Sequence, residues 1–184
     1  MKKYLLLVLA TTMFAANVVA QTVEKTSRGV IVHMKDATNN SPKLVRLEVC
    51  GDKIIRASAT PEEKFADPQS LIIVDQKSKP SFKVTNEAGV VTLTTAAVKA
   101  NVNTTTGEVW FTDLLGNTYV REQLGGGKTF QPYTCTQTHA DGVDETYKGW
   151  SSRVVFESPE DEAFYGLGQH QADEWNHYCP VKVD

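Results

Sequence analysis

The sequence lacks the apolar repeat of a helix. No window carries apolar residues at a sustained spacing of three to four, and turn-forming residues interrupt the chain every few positions. Regular alternation of helices and strands is therefore excluded, whereas short strands separated by turns are typical of sandwiches and barrels. We predict an all-β fold, an antiparallel β-sandwich.

A continuous apolar run long enough for a membrane span is also missing. The longest candidate, residues 5–16, is interrupted by two threonines, whereas a spanning helix needs roughly 20 apolar residues. Two lysines precede the run and small residues ending in Ala20 follow it, which is the pattern of a secretory signal peptide. We expect residues 1–20 to be removed before Gln21, no membrane span, and a periplasmic or secreted protein.

Clustered positive charge is absent as well. The 19 Lys and Arg residues are outnumbered by 22 Asp and Glu residues, and the formal net charge is −3. Because phosphate contacts depend on grouped Lys and Arg side chains, nucleic acid is not an expected partner.

Cysteine is scarce, with three residues at Cys50, Cys135 and Cys179. Three thiols cannot all pair with one another, although one disulfide could form in an oxidising compartment. The pairing stays open at this stage, and three buried thiols is the arrangement we favour.

Several short segments do alternate between apolar and polar residues, which is the period of a β-strand. A short apolar run at residues 71–74 lies among them. The segment 125–149 is rich in Gly, Thr and polar residues, and we predict a long loop there with room for one strand inside. The predicted strands are residues 29–35, 44–49, 53–59, 82–85, 90–94, 98–102, 109–111, 119–120 and 153–156. The predicted core consists of Val30, Val32, Leu47, Val49, Ile54, Val91, Leu93, Val109, Phe111, Val154 and Phe156.

Two groups of residues have the composition of a functional motif but fail on spacing. A phosphate-binding loop needs a glycine five places before Gly127, where Glu122 stands. Near the end of the chain, potential metal ligands lack any usual zinc spacing, so a solvated polar segment is the better interpretation. These ligand types are His170, Asp173, Glu174, His177 and Cys179.

The tryptophans are candidates for stacking on sugar rings, because an aromatic face offers apolar contact to the C–H face of a pyranose. Trp150 and Trp175 lie in or beside predicted loops and are our candidate substrate-binding residues. Trp110 alternates within a predicted strand, so we expect it in the core.

Three segments in a fixed order carry a family resemblance. Leu47-Glu48-Val49 is followed by residues 54–61, and Thr106-Gly107-Glu108 opens a second hairpin that continues to residue 117. The third and most specific segment is Tyr165, Gly166, Leu167, Gly168 and Gln169, preceded by Phe164. In this order and spacing the chain resembles, over residues 26–171, the amino-terminal domain of glycoside hydrolase family 31 in its secreted bacterial form. This is the α-glucosidase and α-xylosidase family, which commonly has Glu where this chain has Gln169.

The resemblance implies a galactose-mutarotase-like β-sandwich, here residues 21–171, that packs on a catalytic (β/α)₈ barrel. Such barrels hydrolyse α-glycosidic bonds with retention, using two carboxylates. A barrel takes about 250 residues, which this chain cannot supply. The family's Trp-x-Asp nucleophile motif also fails, because Thr112, Ser152 and His177 occupy the Asp positions.

The expected function follows from this resemblance. We expect an accessory domain of an α-glycosidase, truncated before the barrel, with no catalytic residue, metal or cofactor of its own. Its implied partners are carbohydrate, as an α-glucoside or α-xyloside, and the catalytic barrel of the parent chain. Residues 172–184 depart from the family and are expected to be poorly ordered. Two alternatives remain, a free-standing secreted carbohydrate-binding module and a secreted structural or adhesive β-domain.

Overall fold

The computed structural model describes residues 23–66 and 81–163, which form strands joined by turns. No helix occurs in these ranges, and so none that is long and apolar enough to cross a membrane. The eleven strands in the described part of the chain are β1 (Val23–Thr26), β2 (Gly29–His33), β3 (Leu44–Gly51), β4 (Ile54–Thr60), β5 (Lys83–Glu87), β6 (Val90–Thr94), β7 (Lys99–Asn103), β8 (Val109–Thr112), β9 (Thr118–Arg121), β10 (Lys128–Thr138) and β11 (Asp144–Val154).

The strands form two antiparallel sheets and a ribbon, all built from sequential neighbours. Sheet 1 has the order β1-β2-β3-β4, sheet 2 the order β5-β6-β7-β8-β9, and β10 pairs only with β11 among the described strands. Tight turns set the register. Between β5 and β6, Ala88 and Gly89 have φ values of 50° and 80°, and two residues with positive φ suit the right-handed twist of a hairpin.

The two sheets bury one face each against the other, and together they form the body of the sandwich. Alternate residues of β2 and β3 point inward, so Val30 and Val32 pack with Leu47 and are fully buried. Val91 and Leu93 of β6 face them from sheet 2. The fold class predicted from the sequence, an all-β antiparallel sandwich, is confirmed.

Three residues predicted to lie in the core are solvent-exposed, which corrects the sequence-based assignment. Ile54 opens β4 directly after a turn and points to solvent. Val154 and Phe156 are 47% and 53% exposed. Both residues lie beside β4, which is the edge strand of sheet 1. Among the described residues, sheet 1 has no further strand that could cover them.

The predicted long loop at residues 125–149 is wrong. Lys128–Thr138 and Asp144–Val154 form a two-stranded antiparallel ribbon of eleven residues per strand. Its Thr and Tyr content favours strand, but neither face is buried over most of its length, so no apolar alternation marks it. The glycines that suggested a loop make the turn before β10, where Gly125 and Gly126 have positive φ.

The ribbon joins sheet 2 at its root. Beyond β11, the Gln123 N–H donates to the Val155 carbonyl and the Glu157 N–H donates to the Arg121 carbonyl, both at 2.9 Å. Phe156 forms a bridge with Glu122. The chain after the ribbon therefore lies next to β9 as an added edge of sheet 2.

Candidate functional site

A cleft of about 290 Å³ opens where the ribbon leaves the sandwich. One wall is the edge of sheet 1 at β4, the opposite wall is β8, and the ribbon root closes the third side. The apolar side chains that line it are Ala57, Ala59, Phe111, Phe130, Val154 and Phe156. Its volume is just below the range of small-ligand sites, which is about 300–1,000 Å³.

A buried ion pair lies in the wall of this cleft. The Lys128 and Glu122 side chains are 8% and 7% exposed, and the Lys128 ammonium donates to the Glu122 carboxylate and, at 2.9 Å, to the Gly107 carbonyl. The Val109 N–H donates to the same Glu122 oxygen at 3.0 Å. Burial lowers the pKa of Lys128, and the Glu122 carboxylate opposes this shift.

A second buried carboxylate lies one strand away and is also paired. Glu108 accepts hydrogen bonds from the Arg121 guanidinium, with a shortest distance of 2.7 Å, and from the Gly125 N–H at 3.2 Å. Each carboxylate is thus engaged by a cation and a backbone donor. These two ion pairs attach the turn before β10 to sheet 2.

The structure places Trp150 in the ribbon, opposite Pro132, with its indole directed toward the end of β4. The indole N–H donates to the Glu62 carboxylate at 2.8 Å, and the side chain stays partly exposed. Trp110, predicted to be in the core, is half-buried on the outer face of sheet 2 with the Arg121 guanidinium 4.9 Å above its ring. Trp175 and the segment Tyr165, Gly166, Leu167, Gly168 and Gln169 lie outside the described residues, as do the segments predicted to be a signal peptide and a poorly ordered tail.

The other face of the ribbon carries an aromatic patch that sequence reasoning missed. Tyr133 and Tyr147 are 56% and 44% exposed and lie on the same face. The Tyr147 hydroxyl donates to Glu145 at 2.5 Å, and His139 lies 2.9 Å from the same carboxylate oxygen. Hydrogen bonds from Tyr147 and His139 lower the pKa of Glu145. The signal in the sequence is weak, because Tyr133 and Tyr147 are 14 positions apart and come together only through the pairing of β10 with β11.

The favoured arrangement of three buried thiols is wrong for one of them. Cys135 is an exposed thiol on the ribbon and Cys50 is a half-buried one in β3, and neither forms a disulfide with the other. Cys179 lies outside the described residues.

The described residues thus define the class of the protein as a two-sheet antiparallel β-sandwich. The profile of the Glycosyl hydrolase 31 N-terminal galactose mutarotase-like domain matches residues 44–177, and the chain belongs to this family. It is similar to the GH31 alpha-xylosidase Xac1773 from Xanthomonas citri, with 35% identity and a TM-score of 0.64, over 81% of this chain and 15% of that one.

A second solved structure shares the fold at lower identity. It is a GH31 alpha-xylosidase from a soil metagenome, complexed with xylose, with 17% identity and a TM-score of 0.54. The match covers 84% of this chain and 23% of that one. The chain therefore spans about 15–23% of the length of these two relatives.

Proposed function

We propose that this domain is the accessory sandwich of an exported enzyme that hydrolyses α-xylosidic bonds, and that it supports the catalytic portion of that enzyme. The observation that carries the proposal is the 35% identity to an alpha-xylosidase over 81% of the chain. Family membership alone leaves α-glucosides and α-xylosides open, and the relatives favour the xylosides.

The chemistry of the described residues supports a role without catalysis. Retaining glycosidases need two carboxyl groups about 5–5.5 Å apart on either side of the scissile bond, one of them available as nucleophile. Here Glu108 and Glu122 are each held by a cation and a backbone N–H. We therefore expect the domain to contribute surface and support to the enzyme, and no catalytic group.

Co-expression with a catalytic portion tests this function. The probe is the Xanthomonas citri alpha-xylosidase without the region that this chain matches, expressed alone and together with this chain. We expect 4-nitrophenyl α-xyloside hydrolysis to rise when both are present, to exceed hydrolysis of the α-glucoside, and to be absent for this chain alone. Hydrolysis by the chain alone, or no gain on co-expression, would contradict the proposal.

A second candidate function, glycan binding by the domain itself, is favoured by one observation. Tyr133 and Tyr147 form an exposed aromatic patch, and the Glu145 carboxylate accepts a hydrogen bond from the Tyr147 hydroxyl. Exposed aromatic faces are common in sugar sites.

Affinity electrophoresis in soluble xylose-containing polysaccharide tests glycan binding by the domain. The Tyr133→Ala variant should lose retardation and the Tyr119→Ala variant, which removes an exposed tyrosine of β9, should keep it.

A further inference from the structure

The ribbon has two outer edges, and they differ in what they offer to another strand. The Phe130 N–H donates to the Asn40 carbonyl at 2.9 Å, so it points away from β11. Since backbone groups alternate along an antiparallel strand, the even-numbered residues of β10 and their partners in β11 direct their N–H and C=O groups outward. On β10, Asn40 therefore covers the outward position at Phe130, and Pro132, which has no N–H, occupies the next one.

Within residues 23–66 and 81–163, nothing of this kind blocks the outer edge of β11. Its outward positions, from Asp144 to Ser152, include no proline, and no described strand pairs with them. Every residue of β11 is exposed. A two-stranded ribbon is marginally stable by itself in water, and an open edge with unpaired backbone groups is a template for one more strand.

The same edge leads directly to the apolar cleft. Val154 ends β11 and Phe156 follows it, and both line the cleft while staying about half exposed. One end of a strand added along β11 would therefore cover the apolar cleft. Val109 lines this cleft and also belongs to the hydrophobic core. The added strand must carry apolar side chains at the cleft end and polar ones near Lys148 and Asp144, where the ribbon face is charged.

We propose that the outer edge of β11, together with the cleft, is where this domain takes up a β-strand from the remaining polypeptide of a family 31 enzyme. The inference rests on the proposed function, because the occupant is polypeptide outside the matched region. The matched region is 15% of the Xanthomonas citri relative, so such a partner has several times as much chain as this domain. Backbone pairing supplies affinity in this mode, and the cleft selects the side chains.

Two proline variants at one cross-strand pair test the edge. Lys148 on β11 and Thr134 on β10 are partners, and both have outward N–H groups. Lys148→Pro therefore blocks the proposed edge, and Thr134→Pro blocks the opposite edge with equal strain in the ribbon. The probe is the tagged Xanthomonas citri catalytic portion described above, co-expressed with the full chain and captured from the lysate.

We expect Lys148→Pro to reduce capture roughly tenfold, the effect of a lost hydrogen bond together with its steric block, and Thr134→Pro to leave it unchanged. In the captured wild type, the amides at the outward positions of β11 should exchange with deuterium more slowly than in the free chain. Equal effects of the two prolines, or protection confined to β10, would overturn the inference while leaving the proposed function standing.

The remaining outcomes are also decisive. Failure to capture the wild-type chain would contradict the proposed function and the inference with it. If the outward amides of β11 are already protected from deuterium exchange in the free chain, the edge is occupied by another segment of this chain. If their protection increases with the concentration of the free chain, the occupant is a second copy. Either result would overturn the proposal that the strand comes from the catalytic polypeptide.

Discussion

The body of the sandwich and the ribbon are both antiparallel β-structure, yet different forces hold them. In the body, strands β1 to β8 direct side chains into the core between the sheets, and ten core residues are at most 2% exposed. In the ribbon, ladder hydrogen bonds are the main contacts, and only Lys128 and Phe130 at its root are covered. A hydrogen bond within the protein replaces one with water, so its net contribution to the free energy of folding is small. Burial of apolar surface has no such competing interaction with water and contributes more. Stability should therefore be concentrated in the body and at the root.

The largest effect should come from the ion pair at the root. Lys128→Met leaves the Glu122 carboxylate buried without its cation, which typically costs about 3–5 kcal/mol. Urea unfolding at neutral pH measures the loss, with Lys148→Met as a control on the exposed part of the ribbon, where we expect a change within about 0.5 kcal/mol. Equal values for the two variants would show that the pair does not hold the root.

A core truncation should cost somewhat less. Leu93 of β6 is fully buried between the sheets, so Leu93→Ala should lower the free energy of unfolding by about 2–5 kcal/mol. Val143→Ala, at an exposed position of the ribbon turn, should change it by less than about 0.5 kcal/mol. A comparable loss at Val143 would mean that the ribbon is packed as the body is.

The contrast between body and ribbon also explains what the sequence could predict. Strands β2 to β8 direct one face to the core, and burial imposes the alternation that marks them, as at Val30 and Val32. Neither face of the ribbon is buried over most of its length, so its strands do not need alternating apolar residues. Thr and Tyr residues occupy many of these positions, and the strands therefore lack the pattern that would have identified them. The errors at Val154 and Phe156 have the same origin, because alternation reports which face a residue is on but not whether another strand covers that face.

The candidate site was less predictable than the fold. The cleft is formed by β4, β8 and the ribbon root, and no local pattern shows that these three segments meet. The Lys128–Glu122 pair spans six positions across a glycine turn whose geometry depends on positive φ at Gly125 and Gly126. Trp150 was identified as a candidate from its residue type, but its partner Glu62 is 88 residues away in the chain.

A smaller effect should appear on acidification of the body. In the turn between β8 and β9, hydrogen bonds from Asn117 and from backbone N–H groups lower the pKa of Asp113 below its usual value of 3.8. A carboxyl group with a lowered pKa in the folded state stabilises above the unfolded pKa and loses this contribution as pH falls through the folded value. Asp113→Ala should therefore lower the melting temperature near neutral pH, and its difference from wild type should shrink below about pH 4. A difference that is independent of pH would contradict this assignment.

The smallest effect should follow cleavage at the tip of the ribbon. The turn at residues 139–142 is exposed, and its contacts are local, such as the 2.8 Å bond from the His139 N–H to the Val143 carbonyl. Segments with few buried apolar contacts open at low free energy and are cut first by proteases. Limited proteolysis should nick the tip while the body stays intact, and the nicked protein should melt within about 2 °C of the uncut one, since its core is unchanged. Mass spectrometry locates the cut, and calorimetry gives the melting temperature. Because the root is held by Lys128 and Phe130, which lie far along the strand from the turn, a large fall in melting temperature would require contacts between the tip and the body. Such contacts would make the ribbon part of the sandwich core and remove the distinction between the two regions.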